Sequence, residues 1–299
     1  MAQLGLGTYR VKPSAVRRMV DVAGDNPDTA WVDTAPGYLD GEAHALLKNA
    51  LARPEISVST KVGYVGGEAA AAAQKDGVLT AFPAAAGHCL EADFVRWQVD
   101  RSRVEMGRDH LELVFVHNPE SNHRDPYDAL RSAFEALEEQ ATAGHITAYG
   151  VATWSGFDGG LFTVPELNDL ATEVAGTRDH HCRAIQLPVS LVMATPIEQA
   201  LNGQGPIADA ELLGWEVYAS SPFHGGELPK IVTPELRDLI DRRLSPAEAS
   251  VLVSGSCPGV SRVLLSTSSV THWYEARTAL KQTLTASTLE RVLGVLASD

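Results

Sequence analysis

Short apolar runs alternate with longer amphipathic stretches from one end of this chain to the other. The short runs lie at 2–8, 30–33, 56–60, 111–116, 146–151, 183–187, 215–219 and 261–265. They are rich in Val, Ile, Leu and aromatic residues and predict eight strands. Apolar residues recur at helical spacing over 13–23, 41–51, 91–106, 125–143, 163–175, 235–243, 246–254, 271–281 and 285–297. Asp125 before Pro126 reads as an N-cap followed by proline in the first turn. Strands alternating with helices predict a parallel α/β sheet, and eight such units are what a (β/α)8 TIM barrel requires. An open doubly wound sheet would announce a nucleotide loop after its first strand. Here Gly5 and Gly7 are not followed by a third glycine, since Arg10 stands at that place.

One segment interrupts the alternation. Residues 62–90, rich in Gly and Ala, separate the third strand from its helix, where short connections are usual. The insertion is expected to act as a lid or substrate loop, an inert surface loop being the plainer reading; its alanine run 69–73 is expected to form a short helix. Otherwise 1–299 is expected to be a single domain. The chain reaches its first strand almost at once, so the lower end of the barrel is expected to be covered by the terminal helix or a partner subunit.

Composition narrows the function. With 44% hydrophobic and 21% charged residues the chain can bury a large core. Its formal net charge of −14 would be repelled by nucleic acid and by anionic membranes. No apolar run is long enough to span a bilayer, and the first ten residues lack a basic start and apolar stretch, which predicts a cytoplasmic protein. Cys89, Cys182 and Cys257 are odd in number and widely spaced, and are expected to be thiols. His88-Cys89 and His180-His181-Cys182 lack the paired spacing of a zinc site, so no metal is expected.

Barrel enzymes carry their chemistry at the carboxyl ends of strands. Asp33 ends the second run, Lys61 follows the third, His117 follows the fourth, and Tyr38 lies five residues beyond Asp33. Singly, each has an ordinary explanation: a cap, a solvent-reaching lysine, a turn histidine, a half-buried aromatic. Together they form a chemical set. A phenol is a poor acid at neutral pH; an ammonium beside it lowers its pKa, and a carboxylate holds that ammonium in place. A neutral imidazole can align a carbonyl oxygen beside them.

With LGLGTYR at 4–10, VDTAPGYLDGE at 32–42, STKVGY at 59–64 and LVFVHNP at 113–119, the chain resembles the aldo-keto reductase family. GHITAYGVATW at 144–154, AIQLPVSLV at 184–192, YASSPFHGGEL at 218–228 and LSTSSVTHWYEA at 265–276 extend the likeness over most of the chain. VGYVGG at 62–67, GHCLEADF at 87–94 and VHNPE at 116–120 are similar to a bacterial subgroup with a long loop after the third strand. The resemblance implies an NAD(P)H-dependent oxidoreductase acting on an aldehyde, ketone or sugar-like carbonyl, with Tyr38 as general acid/base and Asp33, Lys61 and His117 completing the site. It further implies cofactor contacts from Thr8, Thr153, Gln186, Ser220 and Phe223, with Ser268, His272 and Glu275 at the adenosine end. Ala152 and Thr153 stand where the family carries a Ser-Asn pair, and His272 stands where relatives place an Arg or Lys for the 2′-phosphate. NADP(H) is thus expected to be favoured modestly, with NAD(H) open to it. A lyase or isomerase, or a nucleotide-sensing protein on the same barrel, are the rival readings; the intact quartet argues against the nucleotide sensor, and the altered cofactor contacts leave the lyase or isomerase open. Homo-oligomer formation is left open.

Overall fold

The structure, a computed structural model, describes residues 1–297; residues 298 and 299, part of the unit expected over 1–299, lie outside the described residues. Eight parallel strands close into one barrel in chain order: β1 Gln3–Gly7, β2 Trp31–Asp33, β3 Ser57–Val62, β4 Leu111–His117, β5 Ile146–Ala152, β6 Cys182–Pro188, β7 Glu216–Ser220 and β8 Arg262–Leu265. Closure is through β1 and β8, which pair in parallel from Gln3↔Arg262 to Leu6↔Leu265. Each expected strand is present, displaced by a residue or two at its ends.

The strands form because both of their faces are buried. In β4, Leu111, Leu113, Val114, Phe115 and Val116 are all buried, so apolar residues run continuously as in other parallel sheets. Phe115 and Trp31 both meet Tyr218, joining β4 and β2 to β7 across the barrel axis and filling its interior. A larger apolar shell lies between the strands and the surrounding helices.

The helices begin where capping chemistry permits. Asp125 accepts from the backbone N–H of Tyr127 and Asp128 to start Pro126–Thr142, and Thr163 and Ser245 form capping boxes with Glu166 and Glu248. The helices Thr195–Leu201 and Gly205–Leu212, between β6 and β7, have no counterpart among the expected elements. They are short and separated by Gly203, too brief for a helical period to stand out from the sequence. The insertion is not a bare loop: it holds helices Gly67–Lys75, which contains the alanine run, and Ala81–Ala86.

The terminal helix Ala286–Leu296 does not cover the lower end of the barrel. It packs on Thr195–Leu201 and Pro234–Asp241, and the barrel floor is made by Trp31 with Arg262 stacked 4.9 Å from its ring centroid and Tyr218 bonded to Glu216. Beneath that floor opens a cleft of about 630 Å³ bordered by Glu112, His181, Arg183 and Glu216. No helix among the described residues is long and apolar enough to cross a membrane.

Candidate active site

Period-two alternation in β3 puts Ser59 and Lys61 on the same side of the strand, facing Asp33 at the end of β2. Lys61 Nζ donates to Asp33 Oδ2 at 2.6 Å and to the Thr34 carbonyl at 2.9 Å. Asp33 Oδ1 accepts from Ser59 Oγ at 2.8 Å and from Gln186 Nε2 at 3.1 Å. Three donors therefore surround a carboxylate that is 4% exposed, beside an ammonium that is 1% exposed. A pair removed from water this fully needs such satisfaction to persist. Burial, the largest single effect, would discharge Lys61, but the Asp33 carboxylate and the Tyr38 side chain together outweigh it and raise the ammonium pKa above its usual value.

Tyr38 lies in the loop leaving β2, where Leu39 and Asp40 adopt left-handed backbone conformations that turn the chain back over the barrel mouth. Its ring centroid is 5.0 Å from Lys61 Nζ, 5.2 Å from the ring of Tyr9 and 6.2 Å from the ring of His117. Burial pushes the phenol above its usual value while Lys61 pulls it down, and burial wins. The sign differs from the sequence expectation of a lowered phenol, because a sequence displays neighbouring charges but not desolvation. His117, the last residue of β4, is held well below the usual histidine range by burial and by the Lys61 charge. It is a neutral imidazole at neutral pH.

A bracket around His117 was not legible beforehand. His88 Nε2 donates to the His117 carbonyl at 2.8 Å, its tautomer set by the Asn122 amide, which donates to Nδ1 at 3.0 Å. Tyr64 bridges to His88 in an antiparallel pairing, its ring meets those of His88 and His117 edge-on at 5.0 and 4.9 Å, and its hydroxyl accepts from Asn118 Nδ2. Gly63 makes this possible at φ +124°, a conformation that side chains disfavour, and a Cβ there would stand 2.9 Å from the His88 ring. The base of the insertion is thus bonded into the site. The only advance signal was the pairing of a His with a Gly-x-x-Gly segment across a long insertion, which says nothing of contact.

The remaining expected residues divide by position. Thr8, at the end of β1, donates to the Asp33 carbonyl and to Thr34 Oγ1, which places it within the same buried network. Thr153 donates to Glu120 Oε1 at 2.8 Å and accepts from the Gly156 N–H at 2.7 Å, so its hydroxyl is engaged by the loop after β5. Ser220 ends β7, and Phe223 follows in a loop where Ser221, His224, Gly225 and Gly226 all have positive φ. Ser268, His272 and Glu275 lie after β8. There Ser268 Oγ accepts from the Lys12 N–H at 2.9 Å, and His272 and Glu275 are exposed on helix Val270–Ala279.

The cysteines are buried free thiols. Burial pushes Cys89 up to about 11 and Cys257 up to about 12. Among the described residues no group of three or more His, Cys, Asp or Glu side chains could hold a metal ion.

The surroundings suit a dinucleotide. The loops after β7 and β8 are where barrels commonly hold phosphates. Gly225 and Gly226 leave room there for close approach to the backbone, and the Arg10 guanidinium stands next to Gly225. A solved structure of a protein provisionally named 2,5-diketo-D-gluconic acid reductase B superposes with a TM-score of 0.67 at 18% identity, covering 98% of this chain and 86% of that one. At that identity the likeness is one of fold. No curated protein matches the sequence. The model of the Aldo/keto reductase family matches residues 1–158, which is more than half of the 299 and takes in β1 to β5 with Asp33, Tyr38, Lys61 and His117. This protein belongs to the aldo/keto reductase family.

Proposed function

We propose that the protein is an NAD(P)H-dependent reductase of an aldehyde, ketone or sugar-like carbonyl, working in either direction. The observation that carries this reading is the buried Asp33–Lys61 pair beneath the Tyr38 ring, with a neutral His117 beside it. A phenol raised by burial is fully protonated at neutral pH, the state needed to give a proton to a carbonyl oxygen as it gains charge. Lys61, kept charged by Asp33, opposes the build-up of negative charge on the phenolate left behind. His117 orients the same oxygen by a hydrogen bond, and as a neutral ring it does not compete to protonate it. A bound reduced nicotinamide supplies the hydride. Gln186, Ser220, Phe223, Thr8 and Thr153 are assigned to the nicotinamide half, and Ser268, His272 and Glu275 to the adenosine half.

The test is direct. Calorimetric titration should show binding of NADPH or NADH, and oxidation of the bound dinucleotide should follow addition of a small aldehyde panel. Absence of binding by both dinucleotides would sink the reading and favour a proton-transferring lyase or isomerase, a rival kept in view by the engagement of Thr153 with Glu120.

The insertion is assigned to covering the substrate. Phe82, 66% exposed on its second helix, leans edge-on against His123 of the loop after β4 at 4.8 Å between ring centroids. Such a flap at the mouth of a barrel can exclude water and select substrate shape. Replacing 67–86 by a short linker, which spares the Tyr64–His88 pairing, should change relative kcat/KM among carbonyl substrates about tenfold or more while dinucleotide Kd stays within about twofold. Unchanged substrate preference after trimming would remove the flap from the mechanism.

A further inference from the structure

The segment after β1 reads RVKPSAVRR over 10–18: four of the 24 basic residues of the chain in nine positions, with no acid among them, in a protein of net charge −14. None of Arg10, Lys12, Arg17 and Arg18 forms an ion pair among the described residues, although most other arginines do. The segment is docked on the loop after β8 at two points. The Lys12 N–H donates to Ser268 Oγ at 2.9 Å, and Arg18 donates from its guanidinium to the Ser268 carbonyl at 3.1 Å. Arg10 stands by Gly225 in the loop after β7. Unneutralised cations are thus gathered where segments after β1, β7 and β8 converge, the end of a barrel at which phosphates are commonly bound.

We propose that Arg18 is the residue that selects the 2′-phosphate of NADPH, the place that the sequence pattern gives to His272. The inference rests on the dinucleotide reading above. Arg10 lies two residues beyond Thr8, close to the catalytic rim, and suits the diphosphate. Arg18, in helix Val16–Gly24 and bonded to the Ser268 carbonyl of the loop after β8, suits the adenosine phosphate. One of the five N–H donors of Arg18 is used by the Ser268 carbonyl, which holds the side chain in place and leaves a planar donor edge for phosphate oxygens. Ser268 Oγ accepts from Lys12, so its own proton remains to be donated to the same group. His272, exposed on its helix, lacks the planar donor fork of a guanidinium, and Glu275 one turn further on opposes an anion. A permanent cation from another part of the chain fills that deficit.

The experiment is calorimetric titration of NADPH, NADH and adenosine 2′-monophosphate into wild type, Arg18→Ala and Arg18→Lys at low ionic strength. Arg18→Ala should weaken NADPH and adenosine 2′-monophosphate about tenfold or more while NADH changes less than threefold, with Arg18→Lys between. Arg18 is exposed, so melting temperatures should agree and a folding defect is separately visible. Equal weakening of NADPH and NADH, or no weakening of either, overturns the assignment while leaving the reductase reading intact. Failure of wild type to bind any of the three overturns both.

Discussion

Replacing Tyr38 by Phe is expected to lower kcat for carbonyl reduction by about 10²–10⁴-fold, the usual contribution of a positioned general acid. Only the phenol oxygen is removed. The ring keeps its neighbours Tyr9 at 5.2 Å and His117 at 6.2 Å, so the melting temperature and dinucleotide Kd should remain close to wild type. The pH dependence gives a second reading of the same group. With the phenol above its ordinary value of 10.0 and His117 well below its ordinary 6.5, neither group changes protonation between those limits. Wild-type kcat for reduction should therefore be level from about pH 6.5 to 10. It should decline above that range as the phenol loses its proton, and well below it as His117 gains one. Tyr38→Phe should abolish the alkaline decline along with the rate. Wild-type turnover in the Phe variant, or a bell centred near pH 7, would mean that another group carries the proton.

Lys61→Met should damage both activity and stability, for one physical reason. Without the ammonium, Asp33 keeps only the Ser59 and Gln186 donors in a site that is nearly closed to water. Leaving a buried charge unpaired costs about 3–5 kcal/mol. The phenol also loses the one interaction pulling its pKa down, so it rises further and becomes a weaker acid, and kcat should fall about 10²-fold or more. Asp33→Asn combined with Lys61→Met separates the two effects: removing the stranded charge should recover most of the melting temperature and none of the turnover. If the single variant melts and turns over like wild type, the pair has neither role.

Much of the barrel is legible without coordinates, because its information is local and periodic. Each strand is a short apolar run bounded by polar turns, and the cap at Asp125-Pro126 is a two-residue pattern. Asp33, Lys61 and His117 are visible for the same reason: each closes an apolar run, and three consecutive strands ending so form a chemical set that no single ordinary explanation covers. What stayed hidden depends on contacts between distant segments. Gln186 reaches Asp33 from 153 positions away, His88 braces the His117 carbonyl from across the insertion, and Arg18 meets Ser268 over 250 positions. No periodicity encodes such distances. The direction of the Tyr38 shift was hidden too, since a sequence names the ammonium that lowers a phenol but not the packing that desolvates it. Sequence determined which residue types stand at the strand ends; closure of the barrel determined which of them touch, how dry they are, and so which physical effect prevails.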